Sequence, residues 1–498
     1  MLFQQDCQQG KNFHYADLNR LDVFFKIREC FNAFHFSFFS LYPSMAIYNS
    51  FPVGKSEIFI GKKAEGISAS KDGFFDKFGR IYGAAQVDIL APDSIFIPVL
   101  PLVSNGKLKF PLCAKCVDSL NPEFCTHKTE ERMLRSVWTT VELEFAIECG
   151  YRILKIHEMF GYRKCEPIFQ SFYLSLARKK LESEGFPANV VSEIEKDKYV
   201  ADLNEAMPGL KLEKEKVKRN DARRQFCKDC SNLSLGKFSQ NNFKANVKYI
   251  HSYSDYLRER NSNPKVSLKS ICPINQNLAE LSFEPNDEWS GQHKGTHVVL
   301  YAFITSYARK RLNADMRLLQ TKGASVFYCD TDSVKFTFPE EQREKFTEIE
   351  KELKMGSPAY LAYKYETDSP IISWTSLGAK NYSYVQQNGS SVVKCRGFTL
   401  QSPTAQAKLT HETMKEMLLQ YLRSERHEVR VKNFTIKIHR QSATLTSSTV
   451  EKKYVNNDYD KRIIVEGGAV GDNPTVCTYP FGLVHDDFSD TIVSPLLG

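Results

Sequence analysis

The chain has no run of about 18 consecutive apolar residues, so no membrane-spanning helix is expected. Its opening, Met1-Leu2-Phe3-Gln4-Gln5-Asp6, lacks the charged start and apolar stretch of a secretory signal. Internal repeats and low-complexity tracts are absent. No strong excess of one charge exists either: 67 Lys and Arg against 59 Asp and Glu leave a formal +8. That mild balance suits a polyanionic partner without requiring one. The 13 cysteines are odd in number and scattered, with no secretory signal before them. This predicts reduced thiols in an intracellular compartment, nucleus or organelle, and at most one metal cluster. What the chain does have is size: 498 residues, 42% of them hydrophobic, allow two to four domains with ample core.

The most informative stretch is Val326-Phe327-Tyr328-Cys329-Asp330-Thr331-Asp332-Ser333-Val334, followed by Phe336 and Phe338. Apolar residues lead in, two carboxylates stand two apart, and alternation resumes. The pattern predicts a β-hairpin with an acidic turn. Two carboxylates at one turn repel each other unless a cation sits there, and hard oxygen ligands of this kind suit Mg²⁺. A solvated turn is the plainer alternative, since Asp and Thr are ordinary turn residues.

Further motifs lie upstream. His35-Phe36-Ser37-Phe38-Phe39-Ser40-Leu41-Tyr42-Pro43 predicts a buried strand ending at Pro43, where a helix starts. Before it, residues 1–33 read as polar and irregular, with one short helix around Leu18–Cys30. Residues 46–112 read as short strands and turns. Cys113-x-x-Cys116 with Cys125-Thr126-His127 supplies four soft ligands for a tetrahedral zinc ion; reduced cysteines in a hairpin are the alternative. One helix is expected from Thr129 to Gly150, then a strand from Tyr151 to Met159 on which His157 is a face residue. Helices follow over 168–205, broken at Gly185-Phe186-Pro187. Further on, Arg224, Lys228 and Asn232 are spaced four apart, so on a helix they share one face, and two cations and an amide in line can grip a triphosphate. Residues 245–295 read as polar and irregular, His297 to Leu319 as a strong helix, and Glu340 to Met355 as an amphipathic one. Leu377-Gly378-Ala379-Lys380-Asn381-Tyr382 and Lys394-Cys395-Arg396-Gly397 place cations on strands and turns where phosphates could be met. A helix from Pro403, capped by Ser402, runs to about Ser424.

Taken in order, these motifs resemble those of protein-primed family B DNA polymerases, the type of linear plasmids and Polinton-like mobile elements. Ser40 to Pro43 match the end of the first motif, Lys228, Asn232 and Gly236 the finger motif, and Tyr328 to Ser333 the acidic hairpin. The similarity runs from about Arg28 to Leu483. It implies an α+β right-hand fold with an antiparallel palm sheet. The parts would be an N-terminal remnant (1–33), palm (34–165, with a zinc loop at about 110–130), fingers (166–244), further palm (245–400, with an insertion at about 245–295) and thumb (401–498). It also implies a two-metal Mg²⁺ site on Asp330 and Asp332. Tyr42 would pack under the incoming sugar, with a core tyrosine as the alternative. Arg224 and Lys228 would hold the dNTP triphosphate, and Asn232 would lie near the nascent pair. Lys380, Tyr382, Lys394 and Arg396 would contact DNA. Partners would be a primer-template, dNTPs and a terminal priming protein.

Two departures stand out. The family's metal-binding aspartate of the first motif falls on Ser37, a neutral residue, as though a short piece had been lost before Phe38. Only about 36 residues precede that motif, too few for the family's proofreading exonuclease domain. The expectation is therefore a DNA polymerase with severely reduced catalysis. The rivals are a non-catalytic nucleic-acid-binding remnant, a zinc-stabilised interaction protein, and an RNA-templated enzyme, which Tyr-x-Asp-Thr-Asp-Ser fits less well.

Overall fold

The computed structural model describes residues 28–240, 246–262, 266–285, 296–338, 343–357, 359–423, 425, 427–439, 444–455, 461–470 and 473–485. Its centre is the strand Arg28–Phe38. On one side it pairs with the hairpin Ser325–Asp330/Ser333–Thr337. On the other lie Ile371–Gly378, Asn381–Gln386 and Ser391–Cys395, while the short strand Tyr363–Tyr365 pairs along its C-terminal end. All pairs are antiparallel.

Alternation along the central strand separates two faces. Phe36 and Phe38 point into the main core with Val334, Phe336 and Phe303, Ile304 and Leu312 of the helix Val298–Thr321. Burying an aromatic side chain of this size is worth about 1.5–3 kcal/mol. His35 and Ser37 fall on the other face, opposite Lys335 and Ser333 in register. A polar face is thus built directly behind a strongly apolar one.

A second, six-stranded sheet is formed by Phe51–Ile60, Arg152–Glu166, Gly79–Leu90, Gly73–Asp76, Ser68–Ser70 and Leu134–Thr139. Two of its strands cross closely at Gly83, where an added Cβ would lie 2.0 Å from the Phe160 carbonyl oxygen. The long helix is locked to this unit through Glu142, which accepts from Arg309 Nε at 2.6 Å and from the Ser306 hydroxyl at 2.9 Å, all buried. The chain then ends in the helices Pro403–Lys408 and His411–Leu422, the hairpin Glu428–His439/Thr444–Val455, and a second hairpin, Ile463–Val470/Asn473–Tyr479.

Several expectations need correction. The central strand already includes Arg28–Cys30, where the end of a helix was expected; residues 1–27 of that reading lie outside the described residues. The strand stops at Phe38, not Pro43, because Ser40 turns the chain with φ 62° and the helix Leu41–Tyr48 begins. Pro43 sits in its first turn, where backbone N–H groups lack intrahelical acceptors anyway. The expected helix from Thr129 to Gly150 is split into Thr129–Arg132 and Thr140–Glu148 by the strand Leu134–Thr139, which the sheet recruits beside Gly79–Leu90. Residues 245–295 are not irregular where described. They form the strands Asn246–Ile250, Val266–Asn275 and Leu278–Pro285 and the helix Tyr253–Ser262 around a small core of Ile250, Leu281 and Phe283. The helix expected to Ser424 breaks at Leu409, and Thr410 caps its successor by accepting from Thr413 N–H.

Candidate active site

The hairpin tip carries both aspartates. Thr331 takes φ 60°, and Asp332 N–H donates to the Asp330 carbonyl at 2.6 Å, a tight turn that sets the two carboxylates on neighbouring positions. The central strand clamps this tip: Phe38 N–H donates to the Asp332 carbonyl at 2.8 Å, and Ser37 pairs with Ser333. Burial, then the nearby Asp330 and Glu366 charges, push the Asp332 carboxyl up to about 6. A carboxylate so disfavoured in its charged form is what a hard divalent cation would relieve. Two carboxylates on one tight turn are hard oxygen donors of the kind that suits Mg²⁺.

Ser37 does not stand alone. Its hydroxyl donates to the Glu366 carboxylate, which also pairs with Lys364 at 2.5 Å. Glu366 N–H is tied to the His35 carbonyl at 3.0 Å, so the turn after Tyr363–Tyr365 fixes it beside the central strand. Burial opposes its charge, but Lys364, the Ser37 hydroxyl and Lys335 together hold its carboxyl below the usual range. Glu366 is thus an acid in hydrogen-bond contact with Ser37, and no local pattern in the sequence singles it out.

Below the acids lies Lys335, fully buried, its ammonium 4.2 Å from the centre of the Tyr328 ring, 4.8 Å from Tyr382 and 5.3 Å from Trp374. Burial brings it down to about 7, against the pull of Asp330, Glu366 and Asp332. Lys380, held at φ 60°, reaches Asp330 with Nζ–O distances of 2.8 and 3.2 Å. Tyr382 stacks on Trp374 with ring centres 4.7 Å apart and pairs in register with Lys394, while Arg396 N–H donates to Asn381 just beyond. Lys394 and Arg396 are exposed.

The third component comes from two packed helices, Gln170–Glu184 and Asp221–Phe238. The second buries Cys227, Ser231 and Leu235, one helical stripe, which leaves Lys228 and Asn232 exposed and Arg224 half-exposed on the adjacent stripe. Arg224 pairs with Glu184 at 3.0 Å. Lys180, which the sequence reading missed within Arg178-Lys179-Lys180, is buried over the Phe39 ring at 3.9 Å. Burial lowers it to about 8, with Glu184 opposing and the charges of Arg224, Lys228 and Lys364 adding to the shift. Lys364 in turn acts on Asp332. Lys180 and Arg224 share the Glu184 carboxylate, at 3.8 and 3.0 Å. For Tyr42, burial, then Tyr301, raise its hydroxyl, and Asp332 and Asp330 contribute in the same direction.

Away from this centre, Cys113, Cys116, Cys125 and His127 come together, all ligand atoms within 4.8 Å of one another. His157 lies on its strand and pairs with Asp88 at 2.8 Å.

Residues 29–196 match the family described as DNA polymerase type B, organellar and viral. Among solved structures, the chain is similar to phi29 DNA polymerase complexed with primer-template DNA and incoming nucleotide substrates, at 14% identity, 86% of this chain, 58% of that chain and TM-score 0.47. It is likewise similar to an orthorhombic crystal form of the phi29 enzyme, at 14% identity, 87% and 60% coverage and TM-score 0.45. A family B DNA polymerase from the hyperthermophilic archaeon Pyrobaculum calidifontis is more distant, at 12% identity, 81% and 33% coverage and TM-score 0.30. The chain spans less than two thirds of the length of these proteins. No curated protein matches it.

Proposed function

We propose that this chain is a DNA-directed DNA polymerase of the protein-primed B type, slowed by the serine at position 37. The observation that carries the reading is the acidic tip Asp330/Asp332, clamped on the strand of Ser37, while Arg224 shares the Glu184 carboxylate with the buried Lys180 on the two packed helices. The match of residues 29–196 to type B DNA polymerases supports it. In this reading 34–165 and 245–400 are the palm, 166–244 the fingers and 401–498 the thumb, whose segment Phe481–Val484 returns to the palm at Leu112 and Cys125.

Arg224 and Lys228 bind the triphosphate of a dNTP, with Asn232 beside the base and Tyr42 under the sugar. Lys380 and Tyr382 orient the primer terminus, and Lys394 and Arg396 hold backbone phosphates without reading sequence. Asp332, Asp330 and Glu366 would hold Mg²⁺, which supplies the charge that activates the primer 3′ oxygen and stabilises the departing pyrophosphate. Ser37 brings no charge to that site. Its hydrogen bond to Glu366 keeps one carboxylate near, but on a longer side chain held by Lys364, so alignment is poorer than with an aspartate on the strand itself.

The second reading, a DNA-binding remnant without catalysis, is favoured by the same Ser37 and by the Lys380–Asp330 ion pair. Primer extension on a primed template with Mg²⁺ separates the two. Slow, Mg²⁺-dependent incorporation that rises in Ser37→Asp is expected. Salt-sensitive binding with no incorporation, even by Ser37→Asp, would leave only the remnant.

A further inference from the structure

We propose that Cys113, Cys116, Cys125 and His127 bind one Zn²⁺, and that this ion builds the seat on which the C-terminal segment Phe481–Val484 docks. The Sγ atoms of Cys113, Cys116 and Cys125 lie 3.6, 3.2 and 3.6 Å from His127 Nδ1. Bonds of about 2.3 Å to sulfur and 2.1 Å to nitrogen in a tetrahedron separate neighbouring ligand atoms by roughly 3.6–3.8 Å, so the three sulfur–nitrogen separations are already close to those of a single zinc shell. An iron–sulfur cluster interposes its own iron and sulfide between the thiolates and needs them further apart.

The local backbone is arranged for thiolates. Cys113 caps the short helix Ala114–Ser119, and its sulfur accepts from Cys116 N–H at 3.4 Å. Asn121 Nδ2 approaches Cys116 Sγ at 3.7 Å. Such outer donors lower the energy of a negatively charged sulfur and orient it toward a cation. All three cysteines are buried, and none is in a disulfide.

What the loop lacks is a core of its own. Its apolar neighbours are Val117, Leu102 and, from the far end of the chain, Ile463, Val484 and Phe481, the last 4% exposed. The C-terminal segment is stitched in by backbone bonds: Cys125 N–H to the Leu483 carbonyl at 2.6 Å, Leu112 N–H to the Phe481 carbonyl at 2.7 Å, and Val484 N–H to the Asp93 carbonyl at 3.0 Å. Gly482, at φ +92°, passes so close that an added Cβ would sit 2.4 Å from the Cys113 Cβ. One of the docking bonds thus starts at a ligand residue and the tightest contact is with another. Four ligands fixed by one ion hold that seat in shape, and removing the ion frees both the loop and the segment resting on it.

The full chain, purified under reducing conditions, should carry about one zinc by elemental analysis, lost in Cys116→Ser and His127→Ala and retained in Asp332→Asn. Chelation of zinc from the unaltered chain should speed amide exchange across Tyr479–His485 by roughly tenfold or more, with exchange in the central strand unchanged. Because that comparison uses the unaltered chain, it survives a misfolded variant. Cys116→His, which replaces one ligand by another, should keep part of the zinc. A metal-free chain, bound iron, or a Cys113–Cys116 disulfide would overturn the site. Zinc that can be removed without altering exchange at Tyr479–His485 would overturn the docking role.

Discussion

The Ser37 hydroxyl donates to the Glu366 carboxylate, directly beside the strand position opposite Ser333 at the acidic tip. In the proposed reading this contact is a rearrangement: a neutral side chain occupies the central strand, and an acid from the turn after Tyr363–Tyr365 is held against it. If Glu366 substitutes in part, Glu366→Gln should lower the residual incorporation rate of the unaltered chain by roughly 10- to 100-fold. In a Ser37→Asp background the same change should cost much less. Equal losses in both backgrounds, measured by single-turnover incorporation, would show that Glu366 serves the fold alone.

The raised carboxyl of Asp332 gives a signed pH dependence. Burial raises it from its ordinary 3.8 to about 6, so the folded state holds the proton more tightly. Without metal, its contribution therefore favours the fold below the ordinary 3.8, declines as pH rises from there through about 6, and stays unfavourable above. Asp332→Asn should remove that decline and raise the metal-free Tm at pH 7.5. Mg²⁺ should raise Tm of the unaltered chain at pH 7.5 far more than at pH 5, where Asp332 is protonated. Thermal melts over pH 4.5–8 with and without Mg²⁺ test both statements. A Mg²⁺ effect independent of pH would contradict them.

Arg224 and Lys228 occupy one helical stripe beside Lys180. Hydrogen bonds to charged groups contribute about 1.5–3 kcal/mol each, so Arg224→Ala or Lys228→Ala should raise the KM for dNTP by roughly 10- to 100-fold. Affinity for primed DNA should change little. Steady-state kinetics and DNA titrations at one salt concentration distinguish these effects. A loss of DNA binding with dNTP KM unchanged would reassign the stripe to the template.

Fold integrity depends on the buried Glu142–Arg309–Ser306 contact between the two sheets' helices. Removing one member of such a buried pair typically costs 3–5 kcal/mol, because the remaining charge keeps its desolvation cost. Glu142→Ala should destabilise by about that much in urea unfolding, whereas Glu142→Ala with Arg309→Met should recover a large part. Additive losses would mean the two residues do not act together.

How far the sequence disclosed this arrangement depended on whether the signal was local. The Asp330/Asp332 turn, the Arg224/Lys228/Asn232 spacing and the Cys113–His127 ligand set lie within short windows, and the structure brings each group together. Glu366, Lys335 and Lys180 were not legible. Glu366 matters through pairing with a strand distant in sequence, Lys335 reads as the polar half of an alternating strand, and Lys180 is one of three adjacent cations. The broken helix over 129–150 and the small sheet over 246–285 show tertiary pairing overriding local pattern, as strand pairing commonly does.

If the acidic tip performs phosphoryl transfer and position 37 limits its rate, activity must respond oppositely to changes at Ser37 and Asp332. The most direct measurement is Mg²⁺-dependent single-nucleotide incorporation on a primed template by three chains: unaltered, Ser37→Asp and Asp332→Asn. Incorporation should be slow in the first, roughly 10- to 100-fold faster in the second and undetectable in the third. Equal rates in all three, or fast synthesis by the unaltered chain that Asp332→Asn leaves intact, would contradict the account.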